Sequence, residues 1–340
     1  MSIMPQKSQS IKKPDIERLL AALRRQKLDR TPNFEIWIGP RSISHILHKQ
    51  DYALDFWTMP PKDAVELVNA IGQDAIVCSL QPPLPPEGSI LTPDDLAAFF
   101  MENADIDFQS FRTKLQTCLD AVAGTGIGVV VRIGGPLTQT YMACGPVPIE
   151  SFMLMLYDQP DLIDNCMKIF TRWSLQIIDA VNDMPFHLYY IGDDLCDNKG
   201  AMISPDAIAQ HWAPYYEQII NAAHATAHPV ICHCCGAQAP VIPYWLKWNV
   251  EACHPLQSGA NDIYAFKQNY GDRIVPVGNI SVGLLSSGTP DEIRDDTRRH
   301  LKALAGDGGY VACSDHSIID SVIPENFMAM VNAVHEFGQY

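Results

Sequence analysis

The sequence predicts an α/β fold, a (β/α)8 TIM barrel as a single domain with an N-terminal helical extension. Three observations carry that prediction. Eight short apolar runs recur along the 340 residues. Segments with helical spacing of apolar residues separate most of them. Polar residues with chemistry to offer sit where the runs end, and barrels of this class keep their active sites at the C-terminal ends of the strands.

Residues 1–30 read as a polar, helical extension, with apolar residues at helical spacing in "DIERLLAALRRQKLDR"; residues 31–340 read as the barrel. The expected strands are "NFEIWIG" (33–39), "DAIVCSL" (74–80), "GIGVVVRIGGP" (126–136), "FHLYYIGDD" (186–194), "PVICHCC" (229–235), "VEACHPLQ" (250–257), "IVPVGNIS" (274–281) and "GYVACSDHS" (309–317). They are continuous apolar runs, as expected of strands buried on both faces. A Pro-rich excursion, 81–125, comes after the second strand. Helices are expected over 205–227, over 289–304 behind an N-cap threonine, and over 324–338 with proline near the start and glycine past the end. Alternating strands and helices imply a parallel sheet.

Composition narrows the function. The formal net charge of −15, with no basic block to offset it, makes nucleic acid and anionic membranes poor partners. No stretch reaches the ~20 apolar residues of a membrane span. The polar N-terminus lacks an apolar signal core, and ten cysteines without regular spacing suggest reduced thiols, so a cytoplasmic location is expected. Most of those cysteines read as small core hydrophobes.

One stretch asks for more than packing. "PVICHCCGAQ" (229–238) ends an apolar run in a histidine and two cysteines. Alternation along a strand turns His233 and Cys235 one way and Cys232 and Cys234 the other. Imidazole nitrogen and thiolate sulfur are ligands that zinc prefers, and two of them need a third. The Cys313–His316 segment at the end of the eighth strand is the natural donor. A Cys234–Cys235 disulfide is disfavoured, since adjacent cysteines close only a strained ring. Glu35, Asp193 and Asp194, also at strand ends, are candidates to bind or protonate a substrate, with helix capping an equal reading of the aspartate pair. His254 and Gln257 are candidates to orient the ligands.

Several segments resemble the uroporphyrinogen decarboxylase superfamily, which includes cobalamin-dependent methyltransferases. "GGPLTQTYMACG" (134–145), "GDDLCDNKGAMISPDAIAQHWAPYYEQII" (192–220), "VGNIS" and "PENFMAMVNAV" carry the resemblance. It implies a (β/α)8 barrel, and it places Tyr141 and Asn279 within segments that bind the cofactor. Decarboxylases of the family carry an arginine-rich loop after the first strand and an aspartate ending the second. "NFEIWIGPRS" offers only Arg41, and "VCSLQPP" offers no acid. The methyltransferase branch carries His-x-Cys at the end of the fifth strand and a late cysteine on the eighth, binding zinc. His233 and Cys235 match the pair; the late position falls on His316, with Cys313 three residues earlier as the second choice. The resemblance therefore implies a zinc-dependent methyltransferase. It would move a methyl group between a small methyl donor, or a thiol acceptor, and a cobalamin held by a partner corrinoid protein. The alternatives are a decarboxylase-like tetrapyrrole enzyme and a non-catalytic corrinoid- or substrate-binding barrel.

Overall fold

Proline opens most of the helices. Pro40, Pro61, Pro93, Pro136, Pro148, Pro160, Pro205, Pro290 and Pro324 each stand at a helix start, where the missing N–H costs nothing and φ is already set. This use accounts for much of a proline-rich composition. The structure, a computed structural model, describes residues 13–103 and 106–340. These divide into two units: residues 13–76, 121–128 and 264–340, and residues 77–120 (apart from 104–105) and 129–263. The strands in chain order are β1 Ala75–Leu80, β2 Gly128–Gly134, β3 Leu188–Gly192, β4 Cys196–Asp197, β5 Gly200–Ala201, β6 Val230–His233, β7 Ala252–His254 and β8 Val275–Pro276.

In the second unit the order is β1-β2-β3-β6-β7, and the pairs from β2 to β7 are parallel. The register sets Gly134 beside Gly192, Gly192 beside His233, and His233 beside His254. Val129, Val131 and Ile133 of β2 are wholly buried, as a parallel strand covered by helices requires. β4 and β5 form a short antiparallel hairpin after β3. Helix Pro160–Val181 buries Ile163, Cys166, Met167, Phe170 and Ile177 along one stripe and packs on helices Pro136–Ala143 and Ala213–Ala225. The expected helix 205–227 is present but not uniform. A π-helical turn, Ile208–Trp212, separates Pro205–Ala207 from Ala213–Ala225. The excursion contains helices Pro93–Glu102, closed by a Thr92–Asp95 capping box, and Phe108–Val122.

In the first unit the expected outer strands are thinner than the sequence suggests. Residues 33–39 form isolated β-bridges at Asn33, opposite Ala312, and at Ile38, opposite Ile318, and no continuous ladder among the described residues. Between those points side chains replace the ladder. The Gln73 amide accepts from the Glu35 N–H at 2.7 Å and donates to its carbonyl at 3.1 Å, and Trp57 Nε1 donates to the Ile36 carbonyl at 2.7 Å. The expected eighth strand likewise pairs by single bridges, Val311 with Val277 and Ser314 with Ile280.

Residues 1–12 of the expected extension lie outside the described residues. The rest of the extension is tied into the first unit. Helix Ile16–Leu23 starts at the Asp15 cap, the Ile16 N–H donates to the Gly126 carbonyl at 2.9 Å, and the Ile16 side chain fills the space where a Cβ on Gly128 would stand. Arg18 donates to Asp74 at 2.5 Å and to Asp29 at 2.7 Å, while Arg30 reaches Asp74 at 3.3 Å. Arg30 and the Asp74 side chain are wholly buried. Burial pushes Asp74 up to about 6 against the pull of both arginines.

Removing one member of a buried ion cluster leaves the rest uncompensated. Asp74→Ala is expected to cost about 3–5 kcal/mol of stability in denaturant unfolding. Arg112→Ala, which breaks a pair with the largely exposed Asp183, is expected to cost less than about 1 kcal/mol. Equal losses would contradict a structural role for the cluster.

Candidate metal centre

Among the described residues, one group of possible metal ligands converges: Asp194, His233 and Cys235, whose donor atoms lie within 4.8 Å of one another. Asp194 lies just past the end of β3, and His233 closes β6, the strand paired with it. His233 Nε2 is 3.2 Å from Asp194 Oδ1 and 3.4 Å from Cys235 Sγ. All three side chains are half-buried, so the group is open to a ligand.

The loop after β6 is held by its own polar contacts. The Cys235 N–H donates to Asp194 Oδ1 at 2.8 Å, and the Gly236 N–H donates to Gln257 Oε1 at 3.0 Å. Gln238 Nε2 donates to the carbonyls of Cys234 and His254, at 2.6 and 2.8 Å. Gly236 has φ +76°, and a Cβ there would stand 2.2 Å from the Asp197 carbonyl oxygen, so only glycine fits. Cys234 points away and is wholly buried, with its sulfur accepting from the Leu195 N–H. Cys232 is also wholly buried.

Behind the group stands a relay of rings. His233 Nδ1 meets His254 Nδ1 at 2.7 Å, and the Tyr190 hydroxyl meets the same nitrogen at 2.9 Å. His254 is completely buried. Burial opposes charge on His233, but Cys235 and Asp194 beside it push the imidazole up to about 10. Burial would raise the Asp194 carboxyl, yet the His233 imidazole and the Cys235 amide hold it well below the usual carboxylate range.

The other candidate residues lie in different surroundings. Asp193 is buried and fully engaged: it accepts from the Leu137 and Thr138 N–H groups at 3.2 and 2.7 Å, and from Trp212 Nε1 at 3.0 Å. It caps helix Pro136–Ala143, and the π turn delivers Trp212 to it. Burial nonetheless pushes its carboxyl up to about 7. The two adjacent aspartates thus divide, one to a helix cap and one to the ligand group. Glu35, in the first unit, accepts from Ser314 N and Oγ, both at 2.7 Å, and burial pushes it up to about 7. Cys313 is wholly buried, with its sulfur 3.4 Å from Glu35 Oε2 inside the same unit. His316, in the same unit, is half-buried. Asn279 is buried, with Oδ1 3.1 Å from His300 Nε2 on helix Pro290–Leu304. Tyr141 is buried against Phe152, and burial, ahead of the charge of Asp194, pushes its hydroxyl well above the ordinary value.

Two residues to which the sequence pattern assigns no role stand out. Arg132 is the lone charge in the apolar run of β2; it sits beside Tyr190 in the register and donates to Ser79 Oγ at 3.2 Å. Gln139 is 4% exposed on helix Pro136–Ala143. The break in the apolar run marks Arg132 in the sequence; nothing in the spacing marks Gln139.

Comparison with known proteins identifies relatives along most of the chain. The uroporphyrinogen decarboxylase (URO-D) family model matches residues 50–337. A uroporphyrinogen decarboxylase from Citrifermentans bemidjiense is 26% identical over 304 residues, covering 81% of this chain and 84% of that one. Another, from Alkalilimnicola ehrlichii, is 23% identical, covering 95% and 94%. Among solved structures, a methyltransferase from Methanosarcina mazei superposes with a TM-score of 0.66 at 20% identity, over 96% of this chain and 99% of that one. That likeness shows the fold, a (β/α)8 barrel. No helix among the described residues is long and apolar enough to cross a membrane.

The raised value of His233 has a sign that can be tested. In the metal-free protein it stabilises the fold fully below the unfolded value of 6.5, and that contribution is lost as pH rises through about 10. A metal must displace the same proton. Zinc affinity is therefore expected to rise roughly tenfold per pH unit between about pH 7 and 9, measured by competition with a chelator. An affinity flat across that window would contradict His233 as a ligand.

Proposed function

The chain belongs to the uroporphyrinogen decarboxylase family, and from that premise we propose a zinc-dependent methyltransferase. Asp194, His233 and Cys235 hold the metal, and methyl transfer runs between a small methylated substrate or thiol and a corrinoid carried by a partner protein. The observation that carries this reading is the spacing of the three donor atoms. Zinc bonds of roughly 2.0–2.3 Å in a tetrahedron put ligand atoms roughly 3.3–3.7 Å apart. The separations of 3.2 Å for His233–Asp194 and 3.4 Å for His233–Cys235 agree with that. One carboxylate, one imidazole and one thiolate leave a fourth position for substrate.

Zinc held there supplies Lewis acidity, lowering the pKa of a bound thiol or polarising a leaving heteroatom. The chain's own residues do the rest. His233, donating Nδ1–H to His254, turns its Nε2 lone pair toward Asp194 and Cys235. The Tyr190 hydroxyl lies 2.9 Å from the same His254 nitrogen, and its ring packs edge-on against that imidazole. The Cys235 amide steadies the Asp194 oxygen on the side of the ligand group. Tyr141, on helix Pro136–Ala143, offers a hydroxyl that can pass a proton to a departing oxygen or nitrogen.

A decarboxylase is the second reading, favoured by the names of the curated relatives. Its arginine clamp has no counterpart here: Arg41 lies on helix Pro40–Leu47, exposed and bonded to the Asp320 carbonyl at 2.9 Å. β1 ends in Ser79, Leu80 and then Gln81, with no carboxylate.

The two readings separate in one assay. Zinc-loaded protein is expected to accelerate demethylation of free methylcobalamin by small thiols, or methylation of free cob(I)alamin by methyl donors, and Cys235→Ser is expected to slow it ~100-fold or more. Uroporphyrinogen is expected to remain unchanged. Coproporphyrinogen formed at a catalytic rate would replace the methyltransferase reading with the decarboxylase one.

A further inference from the structure

Gln139 is buried to more than nine-tenths, and neither its Oε1 nor its Nε2 has a hydrogen-bond partner in the chain. Leaving an amide in that state costs free energy that an apolar side chain of the same shape would not cost. Its place in the fold says what could complete it. A Cβ built on Gly134 would stand 2.8 Å from Gln139 Nε2 and 2.5 Å from Gln81 Nε2. Two amide groups therefore converge over bare backbone at the end of β2.

The register extends this spot toward the ligand group. Gly134, Gly192 and His233 stand abreast on three neighbouring strands, so the amides and the His233 ring are roughly 10 Å apart at the backbone, two strand spacings. Gly192 lies between them. A Cβ there would make only ordinary 3.7 Å contacts, with His233 and Tyr190. One step down the same face of β2 is Arg132, level with Tyr190 and donating to Ser79 Oγ near the end of β1 at 3.2 Å. Burial lowers this guanidinium only to about 10, and it stays cationic at neutral pH. The inventory is two amide NH2 groups and one buried cation, which are donors that suit a carboxylate.

We propose that Gln139, Gln81 and Arg132 form a subsite for the carboxylate of a small substrate, whose other end reaches the Asp194–His233–Cys235 group across the bare backbone of Gly134 and Gly192. The place of the reacting end rests on the reading of that group as the reacting centre; the subsite itself does not.

The test is Gln139→Met, an apolar side chain of the same length. Propionate and propionamide are titrated into the metal-free wild type and variant by ligand-observed NMR, and both proteins are melted without ligand. The expected result is threefold: the variant melts about 1–4 °C higher, its affinity for propionate falls roughly 10-fold or more, and weak propionamide binding is unchanged. Gly192→Ala, which fits the backbone but fills the space, is expected to weaken propionate binding without lowering the melting temperature. A Gln139→Met protein that melts lower and binds propionate as before would overturn the proposal, making Gln139 a structural residue. A wild type that does not prefer propionate to propionamide would overturn it equally. Zinc content is measured alongside and is expected to be the same in wild type and Gln139→Met. Zinc absent from the wild type would remove the metal reading alone, because the propionate comparison uses metal-free protein.

Discussion

The parallel register of β3, β6 and β7 is the constraint on which the site depends. It sets Gly192, His233 and His254 abreast. A slip of one residue would send His233 to the helix side and bring Cys232 or Cys234 to the interior. The slip is prevented by what the other face buries: Ile191, Cys232 and Cys253 share a layer and are all fully buried. The apolar residues of these strands hold the register, and the register aims the polar ones. Packing and chemistry in this protein are two faces of the same strands.

The polar network is stable because each member has an assigned partner. Asp193 is satisfied by two backbone N–H groups and an indole, which frees Asp194, one residue on, to face His233. His233 is flanked by a carboxylate and a thiol on Nε2 and by His254 on Nδ1. Buried polar groups arranged this way rigidify a site, whereas a partly satisfied one costs stability. Gln238 leaves its Oε1 without a partner, but Gln139 leaves both amide atoms so, and an amide unsatisfied at both ends beside this network points to a ligand.

Much of this was legible in the sequence. The strand–helix alternation identified the fold class, and the two-residue period separated His233 and Cys235 from Cys232 and Cys234. The pattern of the resemblance placed the third ligand at His316 or Cys313; within the second unit the group that converges adds Asp194 to His233 and Cys235, while within the first Cys313 is bonded to Glu35. Pairing between strands is non-local, so nothing within "GDD" says that its second aspartate stands beside a histidine 39 residues later whereas its first caps a helix 56 residues earlier. The strand expected at 33–39 lost its ladder to Gln73 and Trp57, whose side chains compete for the same backbone groups. Gln139 was silent because helical spacing describes which face is covered, not what the cover lacks.

The central claim is that Asp194, His233 and Cys235 hold one zinc ion with a position left for substrate. X-ray absorption at the zinc edge of the loaded protein tests it most directly. The predicted shell has one sulfur at ~2.3 Å with nitrogen and oxygen ligands at ~2.0–2.1 Å, and a second sulfur only after a thiol is added. Two sulfurs before any thiol is added, or a zinc shell with none, would contradict it.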